Sequence, residues 1–323
     1  MIHRKFGVTQ WDISEIGYGM WGMGEWTESD DLLSAKALDL AVEQGVNFFD
    51  TAWAYGHGHS EKLLGELVKR HPDKKLYTAT KIPAKNFRWP AKPEYALEES
   101  YPIAHIMDYT EKSLKNLGLE QIDLMQFHTW DDSWADQEEW QRAVEDLKTS
   151  GKIAAMGISV NRWEPENGIK ALKTGKFEAV QVIYNIFDQA PEDKLFPLCE
   201  DLNIAVIARV PFDEGTLTGA ITKETTFPEK DWRASYFVPE NLIASAERAE
   251  RLRPVVPEGM TMAEMALRFI SMNRNVSTII PGMRKERNVL MNTALSDGKG
   301  LSKEIYQELK GHRWDRKPTS WSQ

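Results

Sequence analysis

A chain of 323 residues, 41% of them hydrophobic, is long enough for two domains or for one large barrel. Its net charge of −9 argues against a nucleic-acid footprint, and no polybasic stretch or run of roughly eighteen apolar residues points to a membrane. The one cysteine, Cys199, excludes an internal disulfide and a Cys-rich metal site, and is expected on an apolar helix face. Met1 to Ser14 is polar and lacks the apolar segment of a secretory signal, so the expected location is the cytoplasm.

Strand-like and helix-like runs alternate from end to end. Candidate strands are Glu15–Gly19, Asn47–Asp50, Leu76–Lys81, Ile122–His128, Ile153–Ser159, Ala179–Tyr184, Ala205–Arg209 and Thr278–Ile280. They are continuous apolar runs, as parallel strands buried on both faces require. A helix is predicted over Asp31–Gln44, with Leu33, Ala37, Leu40 and Ala41 as its apolar stripe and Gly45 as its stop. Gly118 and Gly151 are expected to end helices, and Pro165 and Pro191 to occupy first turns. Thr261-Met262-Ala263-Glu264 is a capping-box pattern opening a helix toward Met272. Ser302–Gly311 is the last predicted helix, followed by a polar tail over 312–323.

This rhythm predicts an α/β fold, and the unbroken composition favours a single (β/α)8 TIM barrel over 1–323. The alternative is a doubly wound open sheet, which would need a dinucleotide-binding glycine turn after its first strand. Gly17-Tyr18-Gly19-Met20-Trp21-Gly22-Met23-Gly24 is glycine-rich. Met20 and Trp21, however, are bulky where the backbone must approach a pyrophosphate. Two long connections, Ile82–Pro102 and Val210–Glu240, are rich in aromatics and proline. Both follow strands, which places them over the C-terminal face where barrel active sites form.

Four polar residues lie at or just past strand ends: Asp50, Tyr55, Lys81 and His128. In a parallel barrel they share one face. Tyr55 suits a proton donor, because a phenol pKa near 10 keeps it protonated at neutral pH. A Lys81 ammonium beside it favours the phenolate and pulls that pKa down, against the opposing effect of burial. Asp50 would keep Lys81 charged, and His128 could orient a carbonyl oxygen. Taken singly, each is more often a solvated or structural group. His57 and His59 form a His-x-His pair of the kind found in metal-dependent barrel hydrolases. They sit past the strand end, beyond a Gly turn, where a loop and a helix start capped by Ser60 or Glu61 is expected instead.

The same residues resemble the aldo-keto reductase superfamily, and its bacterial members in particular. Asn47-Phe48-Phe49-Asp50-Thr51-Ala52, Tyr55-Gly56 and Ser60-Glu61-Lys62-Leu63-Leu64-Gly65 make the most specific match. Ala79-Thr80-Lys81, Asp123 to His128, Gly157-Ile158-Ser159, Gln181 to Asn185 and Ile280-Pro281-Gly282-Met283-Arg284 follow in order. The resemblance implies NADP(H) bound at the C-terminal face, hydride transfer to an aldehyde or ketone, and Tyr55 as the proton donor. Ser159, Gln181 and Asn161 would hold the carboxamide, with Met20, Trp21 and Asp50 nearby. Pro211, Phe212, Gly215 and Leu217 would cross the pyrophosphate. Arg284 and Asn288 would meet the 2′-phosphate end, and Asn292 the adenine.

Arg209 stands where many relatives have an aromatic, and could stack on the nicotinamide or reach the pyrophosphate. Ser159 is followed by Val160-Asn161, whereas many relatives have Asn directly after Ser. Met291 replaces a frequent Glu. Of the twelve tryptophans, Trp21, Trp53, Trp89 and Trp130 are expected to face a small carbonyl or alcohol substrate, while Trp140 and Trp163 pack on outer helices. A catalytically weak nucleotide-binding regulatory protein on the same barrel, like potassium-channel β-subunits, is the alternative reading. Oligomeric state and the identity of the carbonyl are not encoded in these motifs.

Overall fold

A computed structural model describes residues 1–24 and 29–322. Its described residues include an N-terminal hairpin, β1 (His3–Phe6) and β2 (Trp11–Ser14). The following strands are β3 (Tyr18–Gly19), β4 (Phe48–Asp50), β5 (Tyr77–Ile82), β6 (Ile122–Phe127), β7 (Ile153–Ser159), β8 (Ala179–Ile183), β9 (Ala205–Arg209) and β10 (Val276–Ile279). These eight lie side by side in strict chain order, every pair parallel. The ring closes between its first and last members: Gly17 N donates to Ile279 O at 2.8 Å, and Gly19 N to Pro281 O at 3.1 Å. A Cβ on Gly19 would stand 2.7 Å from Ile280 O, so the seam needs glycine there. Sequential order with closure is a (β/α)8 barrel, not a doubly wound sheet.

All eight predicted barrel strands are present, with ends moved by a few residues. Helices fill the connections, among them Asp31–Glu43, His59–Arg70, Ile103–Leu117, Glu138–Thr149, Pro239–Leu252, Met262–Ser271 and Glu286–Ala294. Gly118 takes the left-handed conformation that ends Ile103–Leu117, and Thr261 accepts from Glu264 N at the start of Met262–Ser271. In Asp31–Glu43 the buried face is Ser34, Ala37, Leu38, Ala41 and Val42; Leu33, expected in the stripe, is exposed. Pro191 opens a short 3-10 turn, but Pro165 lies in a turn before the brief helix Ile169–Leu172 rather than in its first turn. Cys199 is buried on the helix Leu195–Asp201, where burial pushes its thiol up to about 12.

The N-terminal hairpin carries no apolar alternation and was not expected. It closes the bottom of the barrel. Phe6 and Ile13 are fully buried against the barrel-interior residues Phe48, Ala79, Leu124, Ala155, Ala179, Ala205 and Ile207. The interior layer is mostly alanine where those two side chains enter.

The tail is anchored on the opposite face. Trp314 N donates to Phe187 O at 2.8 Å, and the Arg316 side chain is 4% exposed between carboxylates of two barrel loops. Trp321 packs edge-on against Trp163 and Tyr236. Trp163 therefore lies under the tail, not on an outer helix; Trp140 does pack behind the barrel, against Phe177 and Trp130. The last residue of the predicted polar tail, Gln323, lies outside the described residues.

Candidate active site

Parallel pairing brings the C-terminal ends of β4, β5 and β6 to one mouth. Asp50 ends β4, Lys81 lies one residue from the end of β5, and His128 follows β6 directly. Lys81 is fully buried, and its Nζ donates to Asp50 Oδ2 at 2.6 Å and to Thr51 O at 2.7 Å. The Tyr55 hydroxyl stands 3.4 Å from the same ammonium. The Tyr55 and His128 rings meet edge to face, centroids 5.6 Å apart. The four strand-end residues thus form one cluster.

Asp50 is more fully held than its sequence position suggested. Its second oxygen, Oδ1, accepts from Gln181 Nε2 at 2.8 Å and from Gln126 Nε2 at 3.1 Å. Gln126 was missed by sequence reasoning. It shares strand parity with Leu124 and His128 and is a fully buried amide in an apolar run. Such a group must find a partner, and that signal was available. The two glutamines also join each other at 3.3 Å, so the carboxylate is bound by three donors from three strands.

The electrostatics differ from expectation at Tyr55. Burial raises its pKa above the ordinary 10, and outweighs the downward pull of Lys81 and Arg209. Desolvation wins because the ammonium's charge is already shared with Asp50, whose negative charge pushes the phenol back up. His128 is held well below the ordinary imidazole value of 6.5, first by burial and then by Lys81 and Arg209. The cluster therefore presents a neutral phenol and a neutral imidazole at neutral pH. Among the described residues, buried His128 Nδ1 has no partner.

Arg209 ends β9 beside them. It donates to Val160 O at 3.0 Å, and its Nε has no partner among the described residues. Burial and the nearby Arg162 guanidinium bring its pKa down to about 10. Ser159 is buried at the end of β7. Asn161 is placed differently from its expected role. Its Oδ1 accepts from Ala91 N at 3.2 Å and Thr129 Oγ1 at 2.8 Å. Its Nδ2 donates to Ala91 O at 2.9 Å and to Glu164 Oε2 at 2.8 Å. That amide is saturated, and it clamps the 82–102 connection to the end of β7 instead of facing the mouth.

Pro211 and Phe212 lead into Asp213–Thr218, which carries Gly215 and Leu217 and consists of two short turns broken by a kink at Glu214 and Gly215. Asp213, Glu214 and Gly215 all have positive φ, so three successive residues are left-handed. A Cβ at Gly215 would touch nothing closer than 3.8 Å; glycine is suited there by its φ of 109°. The Met20 and Leu217 side chains are sealed in the core, leaving only their main chains for any ligand contact. Arg284 packs on Gly22, whose Cβ would stand 2.9 Å from Arg284 Cδ. Asn288 and Asn292 follow on the helix Glu286–Ala294, with Asn292 buried and Asn288 half-buried.

Aromatics rim the mouth. Trp89 meets the His128 ring edge-on at 5.6 Å and is 40% exposed, with Phe87 beside it. Trp21, 39% exposed, meets Trp232 edge-on across the opening. Trp53 packs on Tyr109 of Ile103–Leu117 and on His57. Trp130 is not at the mouth. It is fully buried among Phe127, Trp134, Trp140 and Phe177, so the expectation of a substrate contact is corrected.

The His-x-His pair is likewise resolved by its surroundings. His57 is exposed, and His59 reaches Asp31 at 2.9 Å on the surface. Neither Ser60 nor Glu61 caps the helix, which starts at Gly58 without a side-chain cap. Ser60 bridges Thr51 Oγ1 and Met20 O, and Glu61, fully buried, accepts from Thr80 and Asn116.

Comparison with known proteins agrees with this architecture. Residues 15–313 match the model of the aldo/keto reductase family. An uncharacterised oxidoreductase of Bacillus subtilis, YqkF, is 32% identical over 97% of this chain and 96% of its own. The NADH-specific methylglyoxal reductase of Escherichia coli is 27% identical over 94% of this chain and 98% of its own. Among solved structures, a glycerol dehydrogenase from Gluconobacter oxydans superposes with a TM-score of 0.79 at 26% identity, covering 96% of this chain and 94% of its own. The holo form of an aldo-keto reductase from Bacillus halodurans shares the fold over the whole of both chains, with a TM-score of 0.77 at 24% identity. The chain is an oxidoreductase of the aldo/keto reductase family.

Proposed function

We propose that the protein reduces an aldehyde or ketone to an alcohol with NADPH, with Tyr55 as the proton donor. The observation that carries the reading is the Tyr55–Lys81–Asp50 chain of contacts beside an imidazole whose Nδ1 has no partner among the described residues. A nicotinamide cofactor fits the donors present. His128 Nδ1, Arg209 Nε and Thr216 Oγ1 are buried polar atoms on this face without partners among the described residues, and Ser159, at the end of β7, pairs in register with Gln181 in the middle of β8. When bound, the nicotinamide supplies the hydride.

The chain's own residues govern the proton. A neutral Tyr55 can release its proton to an oxygen that becomes negative. Lys81 then stabilises the phenolate left behind, and Asp50 keeps that ammonium in place. Neutral His128 orients the carbonyl oxygen through a hydrogen bond. The exposed Trp21, Trp89 and Phe87 exclude water around an apolar substituent.

Preference for NADPH over NADH is supported by the basic run Arg284-Lys285-Glu286-Arg287 at the start of Glu286–Ala294, whose first turn has no side-chain cap. A guanidinium beside free helix amides suits a phosphate monoester. The Escherichia coli relative's stated NADH specificity shows that family membership alone does not decide this choice.

The test is NADPH oxidation across aldehydes, ketones and aldoses, by the wild type and by Tyr55→Phe. Turnover should fall by roughly a hundredfold or more in the variant while NADPH binding is kept. Full activity in Tyr55→Phe removes Tyr55 as the acid. NADPH binding by the wild type without turnover on any carbonyl would favour the regulatory alternative.

A further inference from the structure

The cofactor-side loop contains a feature that the proposed chemistry does not use. Asp213 and Glu214 are non-glycine residues at φ 46° and 57°. Successive residues of this kind are costly to hold, and the surrounding structure must over-determine them. Each is held by an arginine. Arg162 donates to Glu214 at 2.5 Å and lies over the Tyr236 ring. Arg316, from the C-terminal tail, donates to Asp213 Oδ1 at 2.7 Å and to Asp188 Oδ2 at 2.5 Å.

Arg316 is built into place. Its guanidinium lies 4.5 Å from the ring centroids of both Trp163 and Trp314, and its side chain is 4% exposed. Asp188 is fixed in turn by Asn185 Nδ2 at 2.9 Å. One tail side chain therefore ties together the connection after β8, the connection after β9 and the turn carrying Trp163. A guanidinium paired with two carboxylates and flanked by aromatic rings is restrained in position. Losing it leaves Asp213 without its partner, on a left-handed backbone that has lost its restraint.

We propose that Arg316 is a positioning residue for the Phe212–Gly219 loop, and that the C-terminal tail thereby sets how tightly the protein retains its nicotinamide cofactor. The inference rests on the cofactor reading above, in which this loop crosses the pyrophosphate. Removing the latch lowers the fraction of molecules with a competent loop, and apparent affinity falls by that fraction. Arg316 touches neither proton donor nor carbonyl, so turnover at saturating cofactor should be unchanged, or faster if release limits it.

The test compares wild type, Arg316→Met, Arg316→Lys and Arg313→Met. Arg313 pairs with Asp193 and Asp315 outside the loop and serves as the tail control. Two quantities are read: amide exchange over 210–219 in the cofactor-free protein, and NADPH dissociation followed by nicotinamide fluorescence. Arg316→Met should speed exchange in that segment and weaken NADPH binding roughly tenfold. Arg316→Lys should recover part of both, and Arg313→Met should match wild type. If Arg316→Met does not fold, Asp213→Asn, which keeps Arg316 paired with Asp188, carries the same expectation. Wild-type exchange and NADPH affinity in the folded variant overturn the latch alone. A wild type that binds neither NADPH nor NADH instead overturns the cofactor reading, and cofactor retention by the tail with it; loop exchange in the cofactor-free variants still reports whether Arg316 holds the loop.

Discussion

Gln181 Nε2 donates to Asp50 Oδ1 at 2.8 Å, joining β8 to β4 across the barrel axis. The strands are four apart in a ring of eight, so the contact spans the interior rather than running along a wall. It makes Asp50 a hub. The carboxylate orders Gln181 and Gln126 on one oxygen and Lys81 on the other.

Removing Lys81 should therefore destabilise the fold as well as the chemistry. Lys81→Met leaves Asp50, 2% exposed, as an uncompensated buried charge. Breaking one side of such a pair costs about 3–5 kcal/mol, most of it the stranded partner. Adding Asp50→Asn removes that charge and should recover a large part of the loss. Urea unfolding of the single and double variants checks this. A double variant no more stable than Lys81→Met would show that the stranded carboxylate is not the source.

The depressed His128 pKa has a consequence for stability below neutral pH. In the unfolded chain the imidazole protonates near 6.5, whereas in the fold it stays neutral to well below that value. Below pH 6.5 the unfolded state thus binds more protons, and stability falls as pH drops, by up to about 1.4 kcal/mol per pH unit for one group. His105 and His312 are depressed too, so the share of His128 is the part of the slope that His128→Gln removes. Equal slopes in wild type and variant between pH 6.5 and 5, from denaturant melts, would refute the assignment. At the alkaline end the sign reverses for Tyr55. Its raised pKa keeps the phenol protonated in the fold after the unfolded chain has lost that proton, and the proposed reduction should run without a Tyr55 inflection up to pH 10.

Trp130 and Trp89 separate core from rim. Trp130→Ala opens a hole in a fully buried aromatic cluster and should cost about 3–5 kcal/mol. Trp89, 40% exposed against His128, should cost under about 1 kcal/mol when truncated, but raise KM for apolar aldehydes. Melting curves with steady-state kinetics test the pair, and a normal KM for every carbonyl in a folded Trp89→Ala would take Trp89 out of the substrate site.

The sequence shows some of these relationships and hides others for physical reasons. The eight barrel strands are legible because strands buried on both faces must be continuously apolar. The quartet is legible because parallel strands carry their ends to one face. Trp130 was misplaced by extending that logic past the strand: β6 stops at Phe127, and the chain then turns its next tryptophan inward. The hairpin is hidden because only Phe6 and Ile13 of its sealing residues are fully apolar and buried. The latch is hidden because Arg316 lies in a polar segment, and its carboxylates are 103 and 128 residues away. No local pattern reports a partner at such a distance.

Asn161 gives the sharpest contrast between the two readings. As a holder of the nicotinamide carboxamide, its loss should weaken cofactor binding. As the structure has it, both amide atoms are spent on Ala91, Thr129 and Glu164. Asn161→Ala leaves the Ala91 carbonyl without its Nδ2 donor, while the Ala91 amide keeps Thr129 Oγ1 at 2.9 Å, and it loosens the loop that carries Phe87 and Trp89. Each unmatched buried group costs about 1–3 kcal/mol. The expected result is faster proteolysis and amide exchange over 83–96, an altered KM for the carbonyl, and NADPH affinity within about twofold of wild type, since no cofactor contact is lost. Selective loss of NADPH affinity with an undisturbed loop would instead restore the carboxamide role.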